Sequence, residues 1–336
     1  MKRTAKILLW TLAMICLLLI AAINFTIGWR PFIGARARAT TNRKFERTPE
    51  RLTRGRYLVR GLVGCETCHS PKDWNTHGAP IVPGMELAGQ VINIPGLPGR
   101  VVASNLTPDP ETGSAIWTDD QIARAIREGI GHDGRTIFPI MPYEFLRNLS
   151  DEDVASIIVY LRSIPAVRNP LPETEIKFPV NYLVRSAPQP ITAPVYGPDP
   201  QSDPVTRGKY LVTVGCGCHI PMDRGRLVPG MAYAGGVRFI GPWGDVASAN
   251  ITPDASGISY YDEALFLQVL RTGYVKAREL ASIMPFGEFR ELNDDDLKAI
   301  FAYLRSLPPV KHRVDNSLPP SYCKLCRLKH GAGDQN

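Results

Sequence analysis

The sequence predicts an all-α protein in which two copies of one small helical domain stand in tandem behind a single N-terminal transmembrane helix. Three observations predict it: a long uncharged stretch near the N-terminus, four sequence blocks that recur in the same order, and amphipathic helical patterns separated by loops rich in Gly, Pro and Asn. The 336 residues suffice for two ordinary domains and their connections. With 44% hydrophobic and 21% charged residues, the composition is globular, not disordered. The net charge of +7 comes mostly from the N-terminal part, where ten Lys/Arg and two acidic residues lie between Arg30 and Arg60. Outside residues 1–60 the charges nearly balance, which argues against a nucleic-acid partner.

Lys2, Arg3 and Lys6 precede ILLWTLAMICLLLIAAINFTIGW, 23 residues without a charge. A signal peptide has an apolar core of about 7–15 residues and a small-x-small cleavage site. This core is longer and has no clear Ala-x-Ala end, so residues 1–29 read as an uncleaved span, for which about 20 residues suffice. Cys16 falls inside it. Residues 30–50 form a basic linker. The three N-terminal cations favour a cytoplasmic N-terminus, whereas Arg30, Arg36, Arg38, Arg43 and Lys44 favour the reverse. Charge alone does not orient the helix.

The repeats define two domains, residues 51–167 and 205–311. RGRYLVRGLVGCETCHSPKD at 54–73 recurs as RGKYLVTVGCGCHIPMD at 207–223, VPGMELAG at 82–89 as VPGMAYAG at 228–235, and ASNLTPDPETG at 103–113 as ASANITPDASG at 247–257. Residues 140–167 align without gaps to 283–310, with 14 of 28 positions identical. Each last block predicts a closing helix. Ser150 and Asn293 read as N-caps ahead of acidic runs 151–153 and 294–296, which suit a positive helix end. Val154, Ile157, Ile158, Leu161 and Ile164 form one apolar stripe, and Leu297, Ile300, Leu304 and Leu307 the other; Pro165 and Pro308 end them. Residues 168–204 carry nine prolines and no amphipathic pattern, which predicts an extended, semi-rigid linker. Residues 312–336 form a C-terminal tail with a C-x-x-C pair.

The seven cysteines are Cys16 and three close pairs, a distribution of local attachment or ligand sites and not of a disulfide framework. Cys65-Glu66-Thr67-Cys68-His69 is C-x-x-C-H, the pattern of covalent haem c attachment. Two thiols add to the two porphyrin vinyl groups and the adjacent His reaches the iron. A zinc knuckle would require a second ligand pair nearby, which is lacking, and a redox C-x-x-C needs no following His. The second copy, Cys216-Gly217-Cys218-His219, has one residue fewer, and its repeat context identifies it as a second haem site. Cys218 and His219 keep the adjacency of the first motif; Cys216 either adds a strained second thioether or leaves a single attachment. Since haem c is attached outside the cytoplasm, the motifs place both domains on the outer, periplasmic side. Met141 and Met284 occupy matched Ile-Met-Pro positions, 72 and 65 residues after their His, and are the expected sixth ligands. Pro142 and Pro285 stiffen those loops; Met85 and Met231 also repeat and are second choices.

Over residues 51–311, GCETCHSP, SNLTPD and SANITPD, IMPY and IMPF, and LSDEDVASIIVYLRSIP with its partner resemble the diheme members of the class I cytochrome c family. They are close to the membrane-bound cytochrome c subunits of bacterial alcohol, aldehyde and sugar dehydrogenases. Those subunits generally carry three haems, and this chain shows two motifs. The resemblance implies that a proline carbonyl takes the Nδ1–H of each proximal His, a role that falls to Pro83 and Pro229. It also implies one-electron transfer and no catalysis. The donor is expected to be a dehydrogenase or quinol-oxidising complex, and the acceptor a soluble cytochrome, a terminal oxidase or a reaction centre. The enzyme alternative is a diheme peroxidase using the irregular second haem.

Cys323-Lys324-Leu325-Cys326 precedes Arg327, not His, so it is no third haem motif. With His312 and His330 it offers a metal site, but a pair alone is half of one, and a local disulfide is the expected state in an oxidising compartment. His77 and His132 read as surface residues. Asn105 and Asn250 read as turn-forming.

Overall fold

The computed structural model describes residues 2–223 and 225–336; Met1, in the predicted span, and Arg224, in the second predicted domain, lie outside it. The N-terminal helix, Lys2–Phe25, is long and apolar enough to cross a membrane, and among its described side chains, from Arg3 to Phe25, none is buried against the rest of the protein. The basic segment after it is fastened to the first domain. Arg38 donates to both oxygens of Asp120 at 2.7 and 2.9 Å and to buried Glu128 at 2.7 Å, and the Phe45 N–H donates to Asp119 at 2.9 Å. Burial pushes the Asp120 carboxyl up, but the hydrogen bonds from Arg38 and Thr41 outweigh it and hold the group below the usual carboxylate range.

Each domain begins with a helix that leads into its cysteine motif, Pro49–Tyr57 extended by a π-helical turn Leu58–Leu62, and Pro204–Gly215. Each continues with Asp119–Glu128 or Glu263–Thr272, then a one-turn helix, Tyr143–Leu146 or Phe286–Phe289. The closing helices are Asp151–Leu161 and Asp294–Ser306. Ser150 and Asn293 cap them as the sequence predicts, accepting from the N–H groups of Asp153 at 3.0 Å and Asp296 at 2.8 Å. Leading and closing helices cross at Gly55 and Gly208, where a Cβ would lie 2.0 Å from the Ser156 carbonyl oxygen and 1.9 Å from that of Ala299. Only glycine allows that approach.

The all-α expectation is corrected. Among the described residues, eleven short strands form five antiparallel sheets. The loops between the helices must satisfy their backbone polar groups and do so by pairing locally. Gln90–Ile92 pairs with Gly99–Ala103, and Arg238–Gly241 with Gly244–Ala247, at the same place in each repeat. The Pro-rich segment 168–204 is more than a spacer. Its strand Glu175–Ile176 joins the first hairpin, the Val195 carbonyl accepts from Asp151 N–H at 2.9 Å, and Arg185 donates to the Pro31 carbonyl at 3.2 Å. Asn105 and Asn250 are turn residues, as expected. The side-chain oxygen of each accepts from Thr107 or Thr252, and its amide donates to the Val167 or Val310 carbonyl.

The two repeats share one core. Leu58, Leu62, Leu149, Ile157 and Leu161 are continuous with Leu211, Leu292, Leu297, Ile300 and Leu304. At its edges, two buried carboxylates are each shared between the domains. Asp153 pairs with Arg54 of its own domain at 2.7 Å and accepts from Tyr210 Oη of the other at 2.6 Å. Asp296 pairs with Arg207 of its own domain and accepts from Tyr57 Oη. Residues 153 and 296 are equivalent, as are 57 and 210, so the contact is reciprocal under an approximate twofold.

Asp296 has no exposed surface, so Asp296→Ala would remove the acceptor shared by the partly exposed Arg207 and the Tyr57 hydroxyl. Urea denaturation is expected to show a loss of about 1–3 kcal/mol, the usual cost of leaving a buried polar group unsatisfied, since Arg207 still reaches solvent. His77 reaches across the same interface to the Thr272 carbonyl at 2.8 Å and Glu279 at 2.6 Å, contacts that raise its pKa. The stabilisation is full below the unfolded pKa of about 6.5 and is lost as pH rises through the folded value. Thermal melts between pH 6 and 8 should therefore lose part of their slope in His77→Gln.

Candidate functional site

The first motif, Cys65–His69, is one α-helical turn that follows Gly64. The second is a 3₁₀ turn, Gly217–His219, with Cys216 at its start. The shortened motif thus winds more tightly than the first. The thiols still match in setting: Cys65 and Cys216 are half-buried, Cys68 and Cys218 exposed. Burial pushes the Cys65 and Cys216 thiols up to about 12 and the Cys68 thiol up to about 11, and it also raises Cys218. Cys218 adds to the upward shift of Cys68, so the two motifs lie within electrostatic reach of one another.

The two histidines are held identically. His69 Nδ1 donates to the Ser104 carbonyl at 2.7 Å, and His219 Nδ1 to the Ala249 carbonyl at 2.7 Å. A carbonyl only accepts, so Nδ1 carries the proton and Nε2 presents a lone pair. Burial lowers both imidazole pKa values, which keeps the rings neutral and able to ligate. The expected acceptors, Pro83 and Pro229, are corrected: both are exposed, and the ring protons go instead to the carbonyls that precede Asn105 and Asn250. Each His carbonyl in turn accepts from Gly89 N–H at 2.7 Å or Gly235 N–H at 2.9 Å. Paired thiols one turn apart, followed by a neutral imidazole with a fixed tautomer, form a donor set that fits haem c.

No family model matches the chain. It is 30% identical over 281 residues to the cytochrome c subunit of a quinone alcohol dehydrogenase from Gluconobacter oxydans, covering 77% of the chain and 55% of that subunit. It is 33% identical over 274 residues to the fructose dehydrogenase cytochrome subunit of Gluconobacter japonicus, covering 76% and 52%. The chain is a homologue of dehydrogenase cytochrome c subunits. It is also 27% identical over 263 residues to a diheme c-type cytochrome of Cereibacter sphaeroides, covering 74% of the chain and 83% of that protein. It spans about half the length of the two dehydrogenase subunits.

Met141 and Met284 sit in equivalent turns before the one-turn helices, with their carbonyls accepting from Tyr143 and Phe286 N–H at 2.8 Å. Both side chains are half-buried against the shared core. Met231 is enclosed elsewhere, beside Cys323 and Cys326. The one-turn helices reach across to the opposite motif. Glu288 accepts from Thr67 Oγ1 at 3.0 Å and pairs with buried Lys72, while the Phe145 ring covers Gly217. Residues 145 and 288 are equivalent. Sequence reasoning missed these cross-domain positions because equivalent residues of different type leave no shared letter to notice.

Two further histidines are reassigned or retained. His77, expected at the surface, is exposed but also stacks on Tyr274 and Phe286 of the other domain, whereas His132 lies on Trp117. The expected Cys323–Cys326 disulfide is corrected as well: both are free, buried thiols that face His312 and His330.

A Cβ at position 217 would fall 2.6 Å from the Phe145 ring, which accounts for the glycine inside the shortened motif. Gly217→Ala is expected to abolish most haem attachment at the second motif and leave the first intact. Adding Phe145→Ala should restore it, as counted by mass spectrometry of the intact chain.

Proposed function

We propose that this chain is a membrane-anchored diheme c-type cytochrome that carries electrons singly between protein partners outside the cytoplasm. The juxtaposition of its two motifs supports this reading most directly: each is roofed by the one-turn helix of the opposite domain. Haem c, when bound, supplies a one-electron iron couple. Cys65 and Cys68, and Cys216 with Cys218, would anchor it, and the similar settings of Cys65 and Cys216 favour two thioethers at both motifs. His69 and His219 would ligate through Nε2, and Met141 and Met284 would offer thioether sulfurs. A Met ligand would favour reduced iron, which suits an electron carrier.

The exposed apolar helix Lys2–Phe25 supports anchoring, because so large an unburied apolar surface requires lipid or a partner. Covalent haem attachment supports a periplasmic position for both domains. The names of the relatives point to a dehydrogenase as donor; a soluble cytochrome, an oxidase or a reaction centre would accept.

Mass spectrometry of the intact chain should find two covalent haems together with the N-terminal helix. A single haem, or none, would overturn the diheme reading. Met284→Leu should convert one haem to a high-spin spectrum and lower its potential by on the order of 0.1–0.3 V, part of the ~0.8 V that axial ligands command. An unchanged spectrum would remove Met284 as ligand.

A further inference from the structure

We propose that His312, Cys323, Cys326 and His330 form a structural zinc site that staples the C-terminal tail to the second domain. Their ligand atoms all lie within 4.8 Å of one another and all four residues are buried. His312 Nε2 is 3.0 Å from His330 Nε2 and 3.4 Å from Cys323 Sγ. Tetrahedral zinc, with Zn–N of about 2.0–2.1 Å and Zn–S of about 2.3 Å, sets these separations near about 3.4 and 3.6 Å.

The hydrogen bonds point the same way. His312 Nδ1 donates to the Ala234 carbonyl at 2.8 Å and His330 Nδ1 to the Gly331 carbonyl at 2.9 Å. Both ring protons are therefore used at Nδ1, and the two Nε2 atoms meet as lone pairs. That approach is repulsive unless a cation lies between them. Carbonyl acceptors behind the ligating imidazoles are the usual outer support of a metal site.

The second domain differs from the first at the positions that form this cluster. Asn169, at the position equivalent to His312, donates to the Ala88 carbonyl, the equivalent of Ala234. His312 keeps that hydrogen bond and gains a ligand nitrogen. Gln90 of the first domain is replaced by Gly236, where a Cβ would lie 2.8 Å from His312 and 3.3 Å from Cys326 Sγ. The glycine makes room for the cluster.

Four protein ligands fill a tetrahedral shell, so the site is structural and leaves no position for substrate. An iron–sulfur cluster with two Cys and two His would put the histidines on a different iron from the cysteines; here one His nitrogen lies close to both a His nitrogen and a Cys sulfur, as around a single ion. Zinc binding ionises the two thiols and releases two protons. The hairpin Pro320–Tyr322 with Lys329–Gly331 presents Cys323, Cys326 and His330, and Asn316 ties the tail to Ala247 at 2.8 and 3.0 Å. The inference stands independently of the haem assignment.

The test is elemental analysis and zinc K-edge X-ray absorption on the full chain, purified without chelators or a His tag. One zinc per chain is expected, with two sulfur and two nitrogen neighbours at about 2.3 and 2.0 Å. Cys326→Ser should bring zinc below a tenth of an equivalent; should that variant fail to accumulate, the wild-type spectrum alone decides. Substoichiometric zinc in the wild type, a different metal in the shell, or recovery of Cys323 and Cys326 as a disulfide would each overturn the proposal.

Discussion

The arrangement of this molecule depends on two buried carboxylates that neither domain satisfies alone. Asp153 and Asp296 each sit in the first turn of a closing helix, paired with an Arg of their own leading helix. The further donor is a tyrosine from the other repeat. A desolvated carboxylate needs several donors, so separating the domains would leave two half-solvated charges as well as an exposed apolar face. Charge and apolar surface thus specify the same pairing. The pairing in turn sets the distance between the two cysteine motifs, because each leading helix that presents a tyrosine runs directly into its own motif.

Much of this architecture is legible in the sequence. Caps, apolar stripes and terminating prolines identify the closing helices, because helix ends are encoded locally. The motifs and the matched methionines are legible because duplication displays them twice. What depends on tertiary contact is hidden. Tyr57 and Tyr210 repeat visibly, yet nothing local says that each serves the other copy. The acidic runs read as helix starts, which is correct for Asp151 and Asp294, but Asp153 and Asp296 also bridge the domains. The strands escaped because two to five residues within Gly- and Pro-rich loops carry no period-two signal. The acceptors for His69 and His219 are backbone carbonyls, which any residue could supply, so side-chain pattern cannot find them.

The differences between the repeats carry as much meaning as their likeness. Behind His69, residues 168–176 close the first domain with Asn169 and an added strand. Behind His219, the same stretch of the second domain is closed by His312, Gly236 and the two C-terminal cysteines. The loop being held is the same in both, for Ala88 and Ala234 immediately precede the glycines whose N–H groups bind the carbonyls of His69 and His219. Its orientation therefore fixes the backbone of the motif histidine. The second motif is also the one that lost a residue and winds as a 3₁₀ turn, a form with poorer hydrogen bonds than the α-helical first motif. A metal staple behind the less regular motif supplies rigidity where the local backbone supplies less. The shortened motif, the glycine beneath Phe145 and the Cys/His tail thus form one coordinated set of differences between the two repeats.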